Sequence, residues 1–217
     1  MPVPFRLPKF YPILDTFSLS QHKCAVIPAA EALLDAGVTI LQYRHKENWT
    51  QTQFDEAKHI AGLCEKSGVL FVLNDRADYA RLLRVALHVG QKDLPPVACR
   101  MVISDEVMGF STHNHLQLTR ANEEPVEYLS IGPIFETSSK VNPDSVIGIE
   151  GLRKLRPLTA KPLVAIGGIK LENALDVLAA GANSVAVISA LLPEECTRKS
   201  LRRRAEEWLQ WLAVGAK

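Results

Sequence analysis

The 217-residue chain has no apolar run long enough to span a bilayer, and no C-x-x-C pair among its four cysteines. Cys24, Cys64, Cys99 and Cys196 read as scattered small hydrophobes, which fits a reducing cytoplasm and argues against a disulfide framework. The formal net charge is only +1, so no bulk electrostatic attraction draws the chain to nucleic acid or to a membrane surface. The opening M-P-V-P-F-R-L-P-K-F has no apolar core of the signal-peptide kind. There is no linker or low-complexity segment beyond a Pro-rich lead-in over residues 1–10. No Ser-His-Asp or Cys-His constellation stands out as a nucleophilic centre. No G-x-G-x-x-G turn follows the first strand signal, which disfavours an open doubly wound sheet.

What is present is ordinary for a soluble globular chain, with 47% apolar and 23% charged residues, enough for one domain over residues 1–217 with a full core. Strand and helix signals alternate throughout. Strands are expected at Tyr11–Leu14, Val38–Leu41, Val69–Leu73, Ala86–Val89, Val107–Phe110, Tyr128–Ile131, Leu163–Ile166 and Ser184–Val187. Helices are expected at Ile27–Ala36, after Thr50, at Ala77–Leu83, within Pro96–Val102, at Asn114–Glu124, at Ile149–Leu158 and after Gly168. A last amphipathic helix over 194–213 carries Leu201, Ala205, Trp208 and Leu212 on one face. Eight such repeats demand a parallel sheet with helical crossovers, and about 217 residues suit a small α/β single-domain (β/α)8 TIM barrel.

The stretch Pro162 to Leu191 is the most informative. A buried strand stops at Gly167-Gly168, a helix follows, and a second buried strand runs into Ile188-Ser189-Ala190. Backbone N–H groups at such exits suit a phosphate, and the last two units of a barrel often hold one. The plain alternative is that these glycines only permit tight loops. Polar groups follow nearly every other strand as well: Gln42, Arg44 and Lys46; Asn74 and Asp75; Gln91 and Asp93; Ser111, Thr112 and His113; then Thr137, Ser139 and Lys140. A barrel gathers all of these at one mouth. Two carboxylates beside amides make a hard oxygen site of the kind that takes Mg²⁺ together with substrate phosphates. Arg44 can fork onto phosphate, and Lys46 and Lys140 add mobile charge. Room for a diphosphate and a separate monophosphate points to a two-substrate transfer.

Six blocks carry a resemblance: Q-Y-R-H-K, N-D-R, H-V-G-Q-K-D-L-P, G-F-S-T-H, G-P-I-F-E-T-S-S-K and A-I-G-G-I…A-A-G-A-N-S-V-A-V-I-S-A. In order, from about Tyr11 to Leu192, they resemble the thiamine-phosphate synthase family. The resemblance implies a Mg²⁺-dependent transferase in the cytoplasm. It would join hydroxymethylpyrimidine diphosphate to hydroxyethylthiazole phosphate and release pyrophosphate. The implied chemistry is dissociative, with pyrophosphate leaving before the thiazole nitrogen captures the pyrimidine cation. Carried over, Gln42, Arg44, Lys46 and Asn74 are implied pyrimidine-diphosphate contacts, with Ser111 and Lys140 facing the same group. Asp75 and Asp93 are implied Mg²⁺ ligands. Thr137, Ser139, Gly168, Ile188 and Ser189 are implied thiazole-phosphate contacts. The loop over 132–148 is long enough to close on substrate.

Departures from the family pattern are His45 in place of Glu, Tyr43 in place of Leu or Phe, and Ser139 in place of Thr. R-V-A and P-V-E replace the usual G-A-D before strands four and six. Those turns lie on the face away from the mouth and bear on stability. Two rivals remain: a thiazole tautomerase, with His113 at its catalytic position, and a non-catalytic phosphate-sensing barrel. Asp93 and Lys140 favour the synthase over the first, and retention of both acids favours it over the second. His88 reads as a packed or hydrogen-bonded core histidine, Arg202–Arg204 as a solvated helix face, and Trp208 and Trp211 as packing. Trp49 sits near the mouth, where it could shield substrate. The expected partners are small phosphorylated molecules, and a homo-oligomer stays open.

Overall fold

The computed structural model describes residues 5–137 and 144–214. Eight parallel strands close into a barrel in chain order: β1 (Phe10–Asp15), β2 (Ile40–Arg44), β3 (Leu70–Asn74), β4 (Ala86–Val89), β5 (Met108–Thr112), β6 (Tyr128–Ile131), β7 (Leu163–Ile166) and β8 (Ser184–Val187). β8 pairs back onto β1 through Phe10–Val185 and Tyr11–Ala186. The helices are α1 (Thr16–Gln21), α2 (Val26–Ala36), α3 (Gln51–Ser67), α4 (Ala77–Leu83), α5 (Pro96–Val102), α6 (His115–Ala121), α7 (Gly148–Leu155), α8 (Leu171–Ala179) and α9 (Arg198–Val214). The chain is thus the expected (β/α)8 barrel. α1 was not expected. It exists because Asp15, at the end of β1, accepts a hydrogen bond from Ser18 N at 2.9 Å and caps a short first turn. The last helix begins at Arg198, a few residues later than its periodicity suggested.

Two cores follow from the period of two along each strand. One set of side chains, Tyr11, Ile13, Ile40, Val72, Ala86, Tyr128, Val164 and Ala186, fills the barrel. The alternate set, including Leu41, Leu73, Leu87 and Leu129, packs outward against the helices. Both faces are buried, which is why the strands read as unbroken apolar runs. Thr50 caps α3 in a reciprocal box with Gln53, and Gly37 and Gly68 end α2 and α3 in the left-handed conformation, as the sequence predicted. Trp208 is fully buried and stacks on Phe10 with ring centroids 5.5 Å apart. Arg202 and Arg203 pair with Glu206 and Glu207 one turn on, forming the solvated face expected.

The cysteine reading needs correction. Cys24 and Cys196 form a disulfide with Cα atoms 5.3 Å apart, and Cys64 and Cys99 are buried free thiols. The pair is 172 residues apart in sequence. No spacing rule reveals a contact made only when the chain that leads into α9 returns to the loop before α2.

The departures before β4 and β6 are met by side chains. Arg84 itself takes the left-handed position (φ 54°) that ends α4. Both carboxylate oxygens of Glu127 accept from Arg100 Nη2, at 2.7 and 2.8 Å, and one of them also accepts the Met108 N–H at 2.6 Å. Lys161 Nζ donates to the carbonyls of Glu124 and Val126, at 2.6 and 2.9 Å.

Inside the barrel the tightest fit is at Gly109 on β5. A Cβ there would overlap the buried ring of Tyr128, which lies across it from β6. Gly109→Ala should therefore lower the unfolding free energy by about 2–3 kcal/mol through overpacking of a ring with nowhere to move. Urea denaturation followed by circular dichroism measures it, and a loss within experimental error would contradict the packing described.

Candidate active site at the carboxyl ends of the strands

A cavity of about 420 Å³ opens at the carboxyl ends of the strands. Its lining draws on every strand or strand exit, so it is a product of barrel closure and belongs to no single motif. β2 supplies Gln42, Arg44 and, just beyond, Lys46; β3 supplies Asn74 and Asp75. The β4 loop adds Asp93 and β5 adds Ser111. Thr137 comes from the β6 loop, Gly168 from the β7 exit, and Ile188 and Ser189 from the β8 exit. Every predicted site residue within the described chain is brought to this one space. Ser139 and Lys140 lie outside the described residues, as does the middle of the 132–148 loop.

The acids meet. Asp75, in a left-handed backbone conformation (φ 68°), shares a hydrogen bond with Asp93 and lies 2.5 Å from Lys46 Nζ; Asp93 lies 3.8 Å from the same nitrogen. Burial, reinforced by the hydrogen bond with Asp93, raises Asp75 to about 6 despite Lys46. For Asp93 burial pushes upward too. The hydrogen bonds with Asp75 and with the Gly90 N–H (2.7 Å), together with Lys46, outweigh it and hold Asp93 below the ordinary carboxylate value. Two facing carboxylates, one of them raised by burial and matched by a single lysine, are a site short of positive charge. Among the described residues, no group of three or more His, Cys, Asp or Glu gathers to hold a metal, so protein ligands beyond these two acids are not at hand.

Asn74 is 5% exposed, and its Nδ2 has no hydrogen-bond partner among the described residues. An unpaired buried donor costs roughly 1–3 kcal/mol, so this amide, on a residue that lines the cavity, lacks an acceptor in the present arrangement. At the β7 exit, Gly168 (φ 63°) leaves no room for a side chain, because a Cβ would overlap the carbonyl oxygen of Glu136. The β6 loop is laced onto this exit by Ile134 N to Ile166 O (2.9 Å) and Phe135 N to Gly167 O (3.0 Å). The two glycines thus permit a tight loop, and their backbone lies at the cavity wall.

Several residues lie at the site that the sequence did not single out. Tyr11, Tyr128 and Ser130 line the floor, joined by His88, whose reading as a hydrogen-bonded core histidine holds although it also faces the cavity. Their signal was present only as inward positions on strands. Burial raises both phenols well above the ordinary tyrosine range, so each keeps its hydrogen. His113 also reaches the cavity; its Nδ1 lies 2.7 Å from Gly132 O and 3.5 Å from Asp144. Thr112 points outward and donates to Ser130 O. Trp49 does not line the cavity. It packs with Tyr43, His45 and Tyr79 outside the barrel, beside Arg76, and this corrects its suggested shielding role.

Asp15 was likewise missed. It is 3% exposed, pairs with Arg44, and accepts from Ser18 N and Oγ. One carboxylate thus caps α1 and fixes the cation that faces the cavity.

Fold and site together define a (β/α)8-barrel protein whose carboxyl-end mouth carries paired acids, several cations and backbone suited to phosphate. The family model for thiamine monophosphate synthase matches residues 10–191. A thiamine-phosphate synthase of Koribacter versatilis is 44% identical over 211 residues, 95% of this chain and 97% of that one. One from Chloroflexus aurantiacus is 37% identical over 80% of this chain and 81% of its own. Among solved structures, a thiamine phosphate pyrophosphorylase from Pyrococcus furiosus superposes with a TM-score of 0.82 at 30% identity, covering 96% of this chain and 97% of that one. The chain belongs to the thiamine monophosphate synthase family.

Removing Asp15 tests how the mouth is held. Asp15→Ala should cost about 2–4 kcal/mol of stability, combining a lost helix cap with a largely buried arginine left without its partner. Thermal and urea unfolding read this out; a loss below about 1 kcal/mol would mean that Arg44 finds solvent instead.

Proposed function

We propose that this chain is a working thiamine-phosphate synthase that couples hydroxymethylpyrimidine diphosphate to hydroxyethylthiazole phosphate with the help of Mg²⁺. The observation that carries the reading is the convergence, in one cavity, of every described residue that the family resemblance implicates. The bond from the pyrimidine methylene carbon to the diphosphate breaks, and its electron pair leaves on pyrophosphate. The thiazole nitrogen then supplies the pair for the new C–N bond. No protein nucleophile is required. The work of the chain is to hold two reactants in line and to stabilise the charge that develops on the leaving group.

The donor set suits Mg²⁺. Asp75 and Asp93 are two facing carboxylates matched by a single lysine, and this ion is commonly held by one or two carboxylates plus substrate phosphates. When bound, Mg²⁺ would neutralise the departing pyrophosphate. Lys46 balances the two acids in this structure, and its side chain is 46% exposed, so it is free to turn toward a diphosphate. Asn74, whose Nδ2 has no partner among the described residues, would turn its amide to the same group. Arg44, fixed by Asp15, presents a cation whose orientation is set before substrate arrives. On the opposite wall Gly168, Ile188 and Ser189 would take the thiazole phosphate through backbone N–H groups, with Thr137 and Ser139 beside them, and Lys140 would face the diphosphate. Among the described residues, no helix is long and apolar enough to cross a membrane. The paired acids also favour this reading over a tautomerase or a sensor, neither of which has use for them.

The test mixes purified protein with both substrates, with and without Mg²⁺, and follows pyrophosphate and thiamine phosphate. Product should form only with Mg²⁺ and stop on chelation; product formation insensitive to chelation would sink the metal assignment. Asp93→Ala should lower kcat/KM more than about 100-fold with the far-ultraviolet circular dichroism unchanged, since even outer-shell partners of a metal are worth 10–100-fold.

A further inference from the structure

We infer that His88 is a positioning residue for this reaction: it aims the Ser111 hydroxyl at the substrate ring, as the last link of a one-way chain of hydrogen bonds that starts at Gln42. The inference rests on the synthase reading and adds a role for His88, Tyr11 and Tyr128, to which the resemblance assigns no part in the reaction.

The direction of the chain follows from counting hydrogens. Gln42 Nε2 lies 2.8 Å from Tyr11 Oη and donates to it. Tyr11 Oη, now an acceptor, has one hydrogen to give, and Tyr128 Oη is 2.9 Å away. Tyr128 must then send its own hydrogen onward, and His88 Nδ1 is 3.1 Å away. With Nδ1 accepting, the imidazole carries its hydrogen on Nε2, which lies 2.8 Å from Ser111 Oγ. With a neutral imidazole at His88, each link sets the direction of the next. The last hydrogen belongs to Ser111. It can turn to Ser130 Oγ, at 3.1 Å, or to an acceptor in the cavity. The histidine thus makes Ser111 a donor toward whatever occupies the floor.

The ligand that fits is a flat heteroaromatic ring with an acceptor nitrogen on its edge. It would lie over the apolar floor of Val164 and Ala186, with Ser111 at one edge and Gln42 at the other. Breaking the chain at Tyr128 would remove the donor that sets the His88 tautomer, and Ser111 would no longer be forced outward. Buried chains of this kind act as a unit, so their members should show coupling.

A double-mutant cycle on the full-length enzyme decides the matter. Tyr128→Phe should lower kcat/KM for the pyrimidine diphosphate by about 10- to 100-fold and leave the KM for thiazole phosphate within about twofold. In a Ser111→Ala background the same substitution should change kcat/KM by less than about twofold. The two amide replacements of His88 should separate. His88→Gln can place a donor nitrogen where Nε2 stands and should stay within about fivefold of the unaltered enzyme. His88→Asn reaches only the Nδ1 position and should lose about as much as Tyr128→Phe. Additive losses in the cycle, equal damage to both substrates, or His88→Gln no better than His88→Asn would each overturn the inference. If Tyr128→Phe fails to fold, the His88 pair still gives the answer. Failure of the unaltered chain to make any product would overturn the synthase reading, a result distinct from normal turnover with additive losses.

Discussion

The hydrogen bond between Tyr11 and Tyr128 is the constraint on which the interior of this barrel turns. Two phenols from strands on different sides of the barrel meet at 2.9 Å, fully buried. A barrel of this size is normally filled by branched aliphatic side chains in layers. Here two aromatic rings take that place, and their hydroxyls demand partners that aliphatic layers never need. Gln42 and His88 meet that demand from β2 and β4, and Gly109 provides the notch in which Tyr128 lies. The same two hydroxyls separate a packed lower half from a polar mouth. Stability and recognition are therefore built from one set of atoms, and neither can be altered alone.

Above that floor, charge is arranged in matched groups. Arg44 is balanced by Asp15, and Lys46 by Asp75 and Asp93. The two arrangements differ in what they permit. Asp15 is held by three hydrogen-bonding groups and its cation is mostly covered, so that pair is a fixture. Lys46 is half exposed at the end of a flexible stem and faces two acids, one of which keeps its proton up to about pH 6. A cluster with one mobile cation and one carboxylate too many can exchange partners at low cost. The contrast separates a residue that is held in place from residues that can respond to a ligand.

The barrel was legible because closure imposes a repeated pattern: apolar runs buried on both faces, helix stops at Gly37 and Gly68, and polar residues at each strand exit. The mouth residues were legible for the same reason, since the exits of parallel strands must point one way. What stayed hidden depends on pairing across the fold. Asp15 looked like the end of a strand; only its neighbours make it the anchor of Arg44. His88 and Ser130 lie inside strands, where inward direction can be read but the partner cannot. The Cys24–Cys196 link joins segments 172 residues apart, and nothing local to either announces the other. Helix α1 was missed because six residues are too few to show a period.

The departures from the family pattern can now be sorted by direction. Tyr43 and His45 alternate with Gln42 and Arg44 on β2 and its exit, so they face away from the cavity. Tyr43 donates to Glu56 at 2.9 Å, and His45 joins Thr16 Oγ1 at 2.7 Å and Asn48 O at 3.3 Å. Both pack against Trp49 in the layer between sheet and helices. A change there alters how α1 and α3 seat on the barrel and reaches substrate only through the backbone of β2. The changed turns before β4 and β6 are farther still, on the opposite face, where Arg100–Glu127 and Lys161 hold the chain. Apart from Ser139, which lies outside the described residues, the departures fall where the strand period turns side chains outward or at the other end of the barrel. The positions that the period turns inward at the mouth, Gln42, Arg44, Asn74 and Ser111, all line the cavity. The alternation that builds the barrel also decides which positions reach the cavity and which do not.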